Sequence, residues 1–178
     1  MIKTIVVATD ASDHGKKAVK LASELAHSLK ARLVIVHALL FDAGSASLRK
    51  IANRRDLTRD QRHLLDNYEV DTQLTVAAAG GLDTSLAYVP PPLELLEPIG
   101  RQILEGAKQA ARNGGAKNVS SKLVSGSAAD SILAAAKKEK ADMIVLGTRG
   151  FGKLKGLFLG SVSHKVSVNA HCPVLTVK

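Results

Sequence analysis

Three short, almost uninterrupted apolar runs constrain the fold of this chain more than any other feature. They are Ile5–Ala8, Leu33–Ala38 and Met143–Leu146. Strands that are apolar on both faces are typical of a parallel sheet covered by helices on each side. Two further runs, Val119–Val124 and Val174–Val177, mix in polar residues, and a proline precedes the second, as in edge strands. The runs predict five strands of one parallel sheet.

Between these runs, apolar residues recur at helical spacing, as in Ala18, Ala22, Leu25 and Leu29. The four helices predicted in this way begin at Ser12 or Asp13, near Leu96 with Pro98 in the first turn, at Ser127, and at Gly160-Ser161. Strands that alternate with helices predict a doubly wound α/β fold. The long stretch at about 41–92 is predicted to be an insertion after the second strand, and Val70–Val76 within it alternates like a short strand.

Length and composition limit the number of domains and the class of protein. The 178 residues are most simply one domain, 1–178, since domains average about 150 residues. A single cysteine excludes an intramolecular disulfide. No apolar run approaches the roughly 18 residues of a membrane span, and Asp10 interrupts any signal-peptide core, so we expect a cytoplasmic protein without membrane contact.

The formal net charge of +9 indicates an anionic partner. Only three Phe and two Tyr are present, with no Trp, whereas single-strand nucleic-acid binding needs aromatic stacking platforms. A nucleic acid is therefore a disfavoured partner. A phosphate held by glycines and main-chain amides suits the 14 glycines better.

The pattern Gly147-x2-Gly150-x9-Gly160-Ser161 begins where an apolar run ends and closes where a helix begins. Ligands of open α/β sheets bind at the carboxyl ends of strands, and a helix amino terminus favours phosphate. Arg149, Lys153 and Lys155 add positive charge. We interpret the segment as a phosphate-binding loop rather than a glycine-rich surface loop.

Two better-known phosphate loops are excluded. The stretch Gly147-x4-Gly152-Lys153 is followed by Leu154, where a Walker A loop needs Ser or Thr for Mg²⁺. The dinucleotide fingerprint G-x-G-x-x-G is absent. The site would belong to a different class of nucleotide fold.

Asp10 ends the first strand, so its carboxylate is expected in the same crevice, where it could accept hydrogen bonds from a ribose or an adenine edge. Its alternative role is to cap the first helix, and the sequence leaves both open. The histidines lack a metal-ligand spacing. His37 ends the second strand, where it could line the crevice, but it is interpreted as a tucked-in surface residue. No catalytic residue and no metal ligand is predicted.

With these residues in hand, the chain resembles the universal stress protein family in its ATP-binding branch, which is marked by G-x2-G-x9-G-[S/T]. The ends I-V-V-A-T-D and H-C-P-V-L-T-V are also similar to that family. The resemblance covers residues 1–40 and about 93–178. It implies the strand order 3-2-1-4-5, ATP with Mg²⁺ in the crevice, and homodimers through Val174–Val177.

The resemblance also implies a set of ATP-binding residues. Thr9 and Asp10 would meet the adenosine, and the end of the second strand would flank the adenine. The next strand end would pack on the nucleotide, and the glycine segment would hold ribose and phosphates. The full set is Thr9, Asp10, Val36, Ala38, Leu146, Gly147, Arg149, Gly150, Gly160, Ser161 and Val162.

The function implied is that of a nucleotide-dependent regulator in a stress response. Whether such a protein is also an enzyme stays open, because a slow ATPase of the same fold could use Mg²⁺ and Arg149 to neutralise charge while water attacks. A third interpretation is a basic adaptor that uses Arg49–Arg62, with a vestigial nucleotide site.

Overall fold

The computed structural model describes residues 1–39, 58–78, 91–150 and 159–178. The predictions on Arg49–Arg55, Lys153 and Lys155 lie outside these ranges. Ten elements follow one another in the described parts: β1 Thr4–Ala8, α1 Asp13–Leu29, β2 Arg32–Ala38, α2 Arg59–Ala78, α3 Leu93–Asn113, β3 Val119–Val124, α4 Ala128–Lys138, β4 Met143–Gly147, α5 Ser161–Asn169 and β5 Val174–Val177.

The five strands form one sheet in the order β3-β2-β1-β4-β5, and every neighbouring pair is parallel. The predicted fold class and strand order are therefore confirmed. In the central register, Val7 of β1 lies between Ile35 of β2 and Val145 of β4. Since β1 is flanked by β2 on one side and β4 on the other, the direction of winding reverses at the carboxyl ends of β1 and β4.

Helices cover both faces of this sheet, which explains why the central strands are continuously apolar. Ile5 and Val7 pack with α1 and the second half of α3 in one buried cluster. Val6 and Ala8 point the other way, into a cluster with α4 and α5. Successive side chains of a strand alternate between faces, so both sets must be apolar.

The chain divides into two compact units, residues 1–39 with 100–178 and residues 40–99. In the second unit, α2 opens with a capping box, in which Thr58 and Gln61 exchange main-chain to side-chain hydrogen bonds of 3.0 and 3.3 Å. This helix runs through Val70–Val76, so the strand predicted there is wrong. The Val70–Leu74 spacing of four residues fits a helix as well as a strand, and a well-capped helix propagates cooperatively.

Helix α1 begins directly after its capping residue. Ser12 is the N-cap of α1, and its hydroxyl accepts from the Gly15 N–H at 3.2 Å. The prediction that Pro98 lies in a first turn is wrong, because α3 already begins at Leu93 and places this proline one turn further in. Within the described ranges, no helix has both the length and the apolar character that a membrane crossing needs.

Candidate functional site

The turn between β1 and α1 is held by hydrogen bonds from its own residues and from β2. The Thr9 N–H donates to the Val36 carbonyl at 3.0 Å, and Thr9 Oγ1 accepts from the Ala11 N–H at 3.1 Å. Asp10 Oδ1 accepts from the Ser12 N–H at 2.9 Å. Since Ser12 is the cap of α1, the alternative that Asp10 caps this helix is wrong. The Asp10 carboxylate instead braces the turn that carries it.

The two halves of the glycine pattern meet in space. The Gly160 N–H donates to the Thr148 carbonyl at 2.8 Å. The buried Ser163 hydroxyl lies 2.9 Å from both the Thr148 and the Gly160 carbonyl oxygens. Helix α5 therefore starts directly beside the end of β4. Its first N–H groups have no partner inside the helix, which makes this start suitable for an anion.

Asp10 lies against the first half of the pattern. A Cβ placed on Gly150 would overlap the Asp10 Oδ2 atom, and one placed on Gly15 would lie 2.8 Å from Oδ1. The carboxylate is thus seated between two glycines, where a larger residue would displace it. The Ser12 hydroxyl adds a further link at 3.4 Å from the Arg149 carbonyl oxygen. Asp10 and the glycine pattern therefore share one edge of the sheet.

The remaining residues of the predicted set differ in what they offer a ligand. Val36 and Leu146 belong to the buried cluster under α4 and α5, so their side chains face the core. Ala38 is also buried, and Val162 is half-buried against the same cluster. Ser161 and Arg149 are exposed. The predicted set combines core residues, which offer main-chain atoms, with exposed polar residues.

Gly147 has a packing role that its place in the pattern does not reveal. A Cβ on Gly147 would lie 2.8 Å from the His14 Cβ and 3.0 Å from the Gly15 nitrogen. The glycine therefore lets the first turn of α1 approach the end of β4.

Three polar residues at this edge were not among those predicted. His14 Nδ1 lies 2.9 Å from Thr148 Oγ1, and Ser163 bridges the two halves of the pattern as described above. The serine could have been found from its place on the inner face of the first turn of α5. The His14–Thr148 contact joins residues 134 positions apart and has no local sequence signal.

His37 is deeply buried rather than a surface residue, so that interpretation was wrong. Its Nδ1 lies 2.8 Å from the Thr9 carbonyl oxygen, which only accepts, so Nδ1 carries the proton. Burial lowers the pKa of His37, against the opposing effects of this hydrogen bond and of the Asp10 charge. The neutral imidazole thus supports the turn that carries Asp10.

The donor set indicates how a metal ion could be held. In the part of the chain that the structure describes, no three His, Cys, Asp or Glu side chains come together as ligands. Mg²⁺ commonly binds through one or two carboxylates together with substrate phosphates. In the described residues, the ligands of a Mg²⁺ ion would therefore have to come mainly from a phosphate chain and water.

Comparison with known proteins identifies chains of similar sequence. The model of the universal stress protein family matches residues 1–178. A universal stress protein of Thermus aquaticus is 32% identical over 186 residues, covering 100% of each chain.

Solved structures are similar over the same length. The crystal structure of a universal stress protein in complex with cAMP has 25% identity and a TM-score of 0.60, with 99% of this chain and 97% of that chain covered. A universal stress protein from Archaeoglobus fulgidus in complex with dAMP has 21% identity, a TM-score of 0.59 and full coverage of both chains. The second similarity supports the fold alone.

Proposed function

The chain belongs to the universal stress protein family, and on this premise we propose that it binds an adenine nucleotide, ATP with Mg²⁺, and acts as a nucleotide-dependent regulator in a stress response. The observation that carries the proposal is the junction of Gly160 with Thr148 beside Asp10. This junction puts a helix start, a carboxylate and a glycine loop at one edge of a parallel sheet. The cAMP complex of a 25% identical relative supports an adenine nucleotide as the ligand class.

Each part of the proposed site has a distinct role. Thr9 and Asp10 accept hydrogen bonds from the adenosine, and the main chain at Val36, Ala38 and Leu146 borders the base. Gly147, Gly150 and Gly160 bring main-chain atoms close to ribose and phosphates. Ser161 and Val162 present the first N–H groups of α5 to the phosphates, and Arg149 adds positive charge. Mg²⁺, when bound, neutralises the charge of the phosphate chain.

Calorimetry and thermal unfolding with ATP, ADP, AMP, cAMP and GTP test the proposal, each with and without Mg²⁺. At a ligand concentration of one hundred times Kd, binding stabilises the fold by about 2.7 kcal/mol, or a Tm shift of roughly 5–10 °C for this size. We expect the shift with ATP and not with GTP. No heat and no shift at millimolar ATP would contradict the proposal. A single-turnover assay for released phosphate then separates a regulator from a slow ATPase.

A pair of glycine variants locates the site. Gly160→Glu places a carboxylate at the start of α5, facing the phosphates, and should abolish the ATP-dependent shift. Gly106→Glu is the matched control, because a Cβ added at this exposed glycine of α3 lies in open space. We expect the control to bind ATP like the wild type. Equal affinities for the two variants would mean that the phosphates lie elsewhere.

A further inference from the structure

His14 lies in the first turn of α1, the helix that follows β1, whereas the glycine pattern follows β4. Its Nδ1 atom is 2.9 Å from Thr148 Oγ1, and its Cβ occupies the space left by the missing side chain of Gly147. The residue therefore contacts the first half of the pattern both through a hydrogen bond and through packing. Its partial exposure contrasts with the burial of its partner, since Thr148 is only 4% exposed.

Every polar group of Thr148 has a partner on a different element. Its N–H donates to the Val177 carbonyl of β5 at 2.8 Å, and its carbonyl accepts from Gly160 and Ser163. Its hydroxyl completes the set through His14. A buried residue that is hydrogen-bonded through its N–H, carbonyl and hydroxyl groups is held in one position. The groups that bond to it are held in place with it.

We infer that His14 is a positioning residue of the nucleotide site: its imidazole holds Thr148, and through the Thr148 carbonyl it fixes where Gly160 and α5 begin. The inference rests on the proposed function. The contact acts by geometry, through the 2.9 Å approach of His14 Nδ1 to the Thr148 hydroxyl.

A double-mutant cycle on ATP affinity tests this inference. His14→Phe keeps a ring and removes its nitrogens, and Thr148→Val keeps the shape and removes the hydroxyl. Each change removes the same neutral hydrogen bond, so each should weaken ATP binding about fivefold. The double variant should bind ATP no more weakly than the weaker-binding single variant, because the two substitutions remove the same hydrogen bond. Affinity is measured well below each variant's Tm, so that a loss of stability alone does not change it.

Conservative variants and a matched control complete the design. His14→Asn and Thr148→Ser keep polar atoms at the contact and should bind ATP within about twofold of the wild type. Thr4→Val makes the same change as Thr148→Val at the opposite end of the sheet and should leave affinity unchanged. His14→Ala replaces His14→Phe if the latter does not fold, and the same fivefold loss is expected.

The outcomes separate the inference from the proposed function. If the wild-type protein gives no heat with ATP, the proposed function fails, and the inference fails with it. If the wild type binds ATP but His14→Phe and Thr148→Val match its affinity, the inference alone fails. Losses that multiply in the double variant also overturn it, since the two side chains would then act independently.

Discussion

At the scale of single residues, the buried His37 and the glycines beside Asp10 set the conditions under which the proposed site keeps its shape. Burial of His37 lowers its pKa, so this side chain stays neutral in the folded protein at pH values where the unfolded chain takes up a proton. The folded state therefore loses stability as the pH falls below the unfolded value of about 6.5. The loss continues until the lowered pKa of the folded state is reached.

A comparison of His37→Asn with the wild type measures this effect. The free energy of unfolding in urea should fall between pH 7.5 and 5.5 in the wild type, and it should fall less in the variant, which lacks this buried titrating group. The series stops above pH 5, because the Glu139 carboxylate, bonded to Lys122 and Arg32, has a lowered pKa and loses its contribution only below about 4.5. Equal losses in the two proteins would contradict the prediction.

A substitution of Gly150 tests whether ATP binding depends on the position of the Asp10 carboxylate. A Cβ at this position overlaps Asp10 Oδ2, so Gly150→Ala should turn the carboxylate away and weaken ATP binding about tenfold, which matches the loss of a hydrogen bond to a charged group. Gly106→Ala is the control, and here the open space of an exposed helix position predicts a gain in stability of about 0.5–1 kcal/mol with unchanged affinity. Calorimetry and urea unfolding of the two variants give both quantities. Wild-type affinity in Gly150→Ala would show that Asp10 moves without cost.

At the scale of secondary structure, helix α3 contains a proline where an N–H is needed. Pro98 lies one turn inside a helix that begins at Leu93, so the Glu94 carbonyl has no N–H partner four residues later. Pro98→Ala supplies that N–H and should raise the free energy of unfolding by about 2 kcal/mol, after allowance for the greater freedom of the unfolded chain. Urea denaturation measures the change. A decrease in stability would mean that the proline ring makes packing contacts that outweigh the missing hydrogen bond.

The elements differ in how well the sequence predicts them, and the reasons are physical. The predicted bounds of β1 and β4 are within one residue, because a strand buried on both faces needs an unbroken apolar run. Helices α1 and α5 are predicted from Ser12 and Gly160, whose capping role depends on local sequence. The strand predicted from the alternation over Val70–Val76 is wrong because this segment belongs to helix α2, which starts at Arg59 and is capped by Thr58.

The site also combines contacts that the sequence predicts with contacts that it does not predict. The meeting of Asp10 with the glycine pattern follows from strand order, which in turn rests on the resemblance to a family. Whether the predicted residues bind ATP stays a prediction. The contacts of His14 with Thr148 and of His37 with Thr9 depend on side chains from distant parts of the chain, and only coordinates provide them.

At the scale of the whole molecule, strand order leaves β5 at one end of the described sheet. The carbonyls of Pro173 and Val177 accept hydrogen bonds from Ile144 of β4 and from Thr148, which directly follows β4. By strand alternation, the main-chain groups of Val174 and Thr176 therefore face away from β4. An edge with outward N–H and C=O groups favours pairing with a second strand. We propose that the protein forms a homodimer through Val174–Val177.

Two substitutions of Thr176 test this dimer. Thr176→Pro removes an outward N–H while leaving the bonds to β4 in place, and it should convert the dimer to a monomer at micromolar concentration. Thr176→Val keeps the N–H and should remain dimeric. Light scattering after gel filtration gives the mass of each. A monomeric wild type, or a dimeric proline variant, would contradict the proposed interface.

The hydrogen bond from the Thr148 N–H to the Val177 carbonyl joins the glycine pattern to β5, on the side of this strand that faces β4. If the proposed nucleotide site and the proposed dimer both hold, Thr148 links ligand binding to subunit association. The two equilibria are then linked reciprocally. If a bound nucleotide strengthens subunit association by some factor, the dimer binds the nucleotide more tightly than the monomer by the same factor. Nucleotide affinity would then rise or fall with protein concentration, and the cellular abundance of the chain would itself set how much nucleotide it holds.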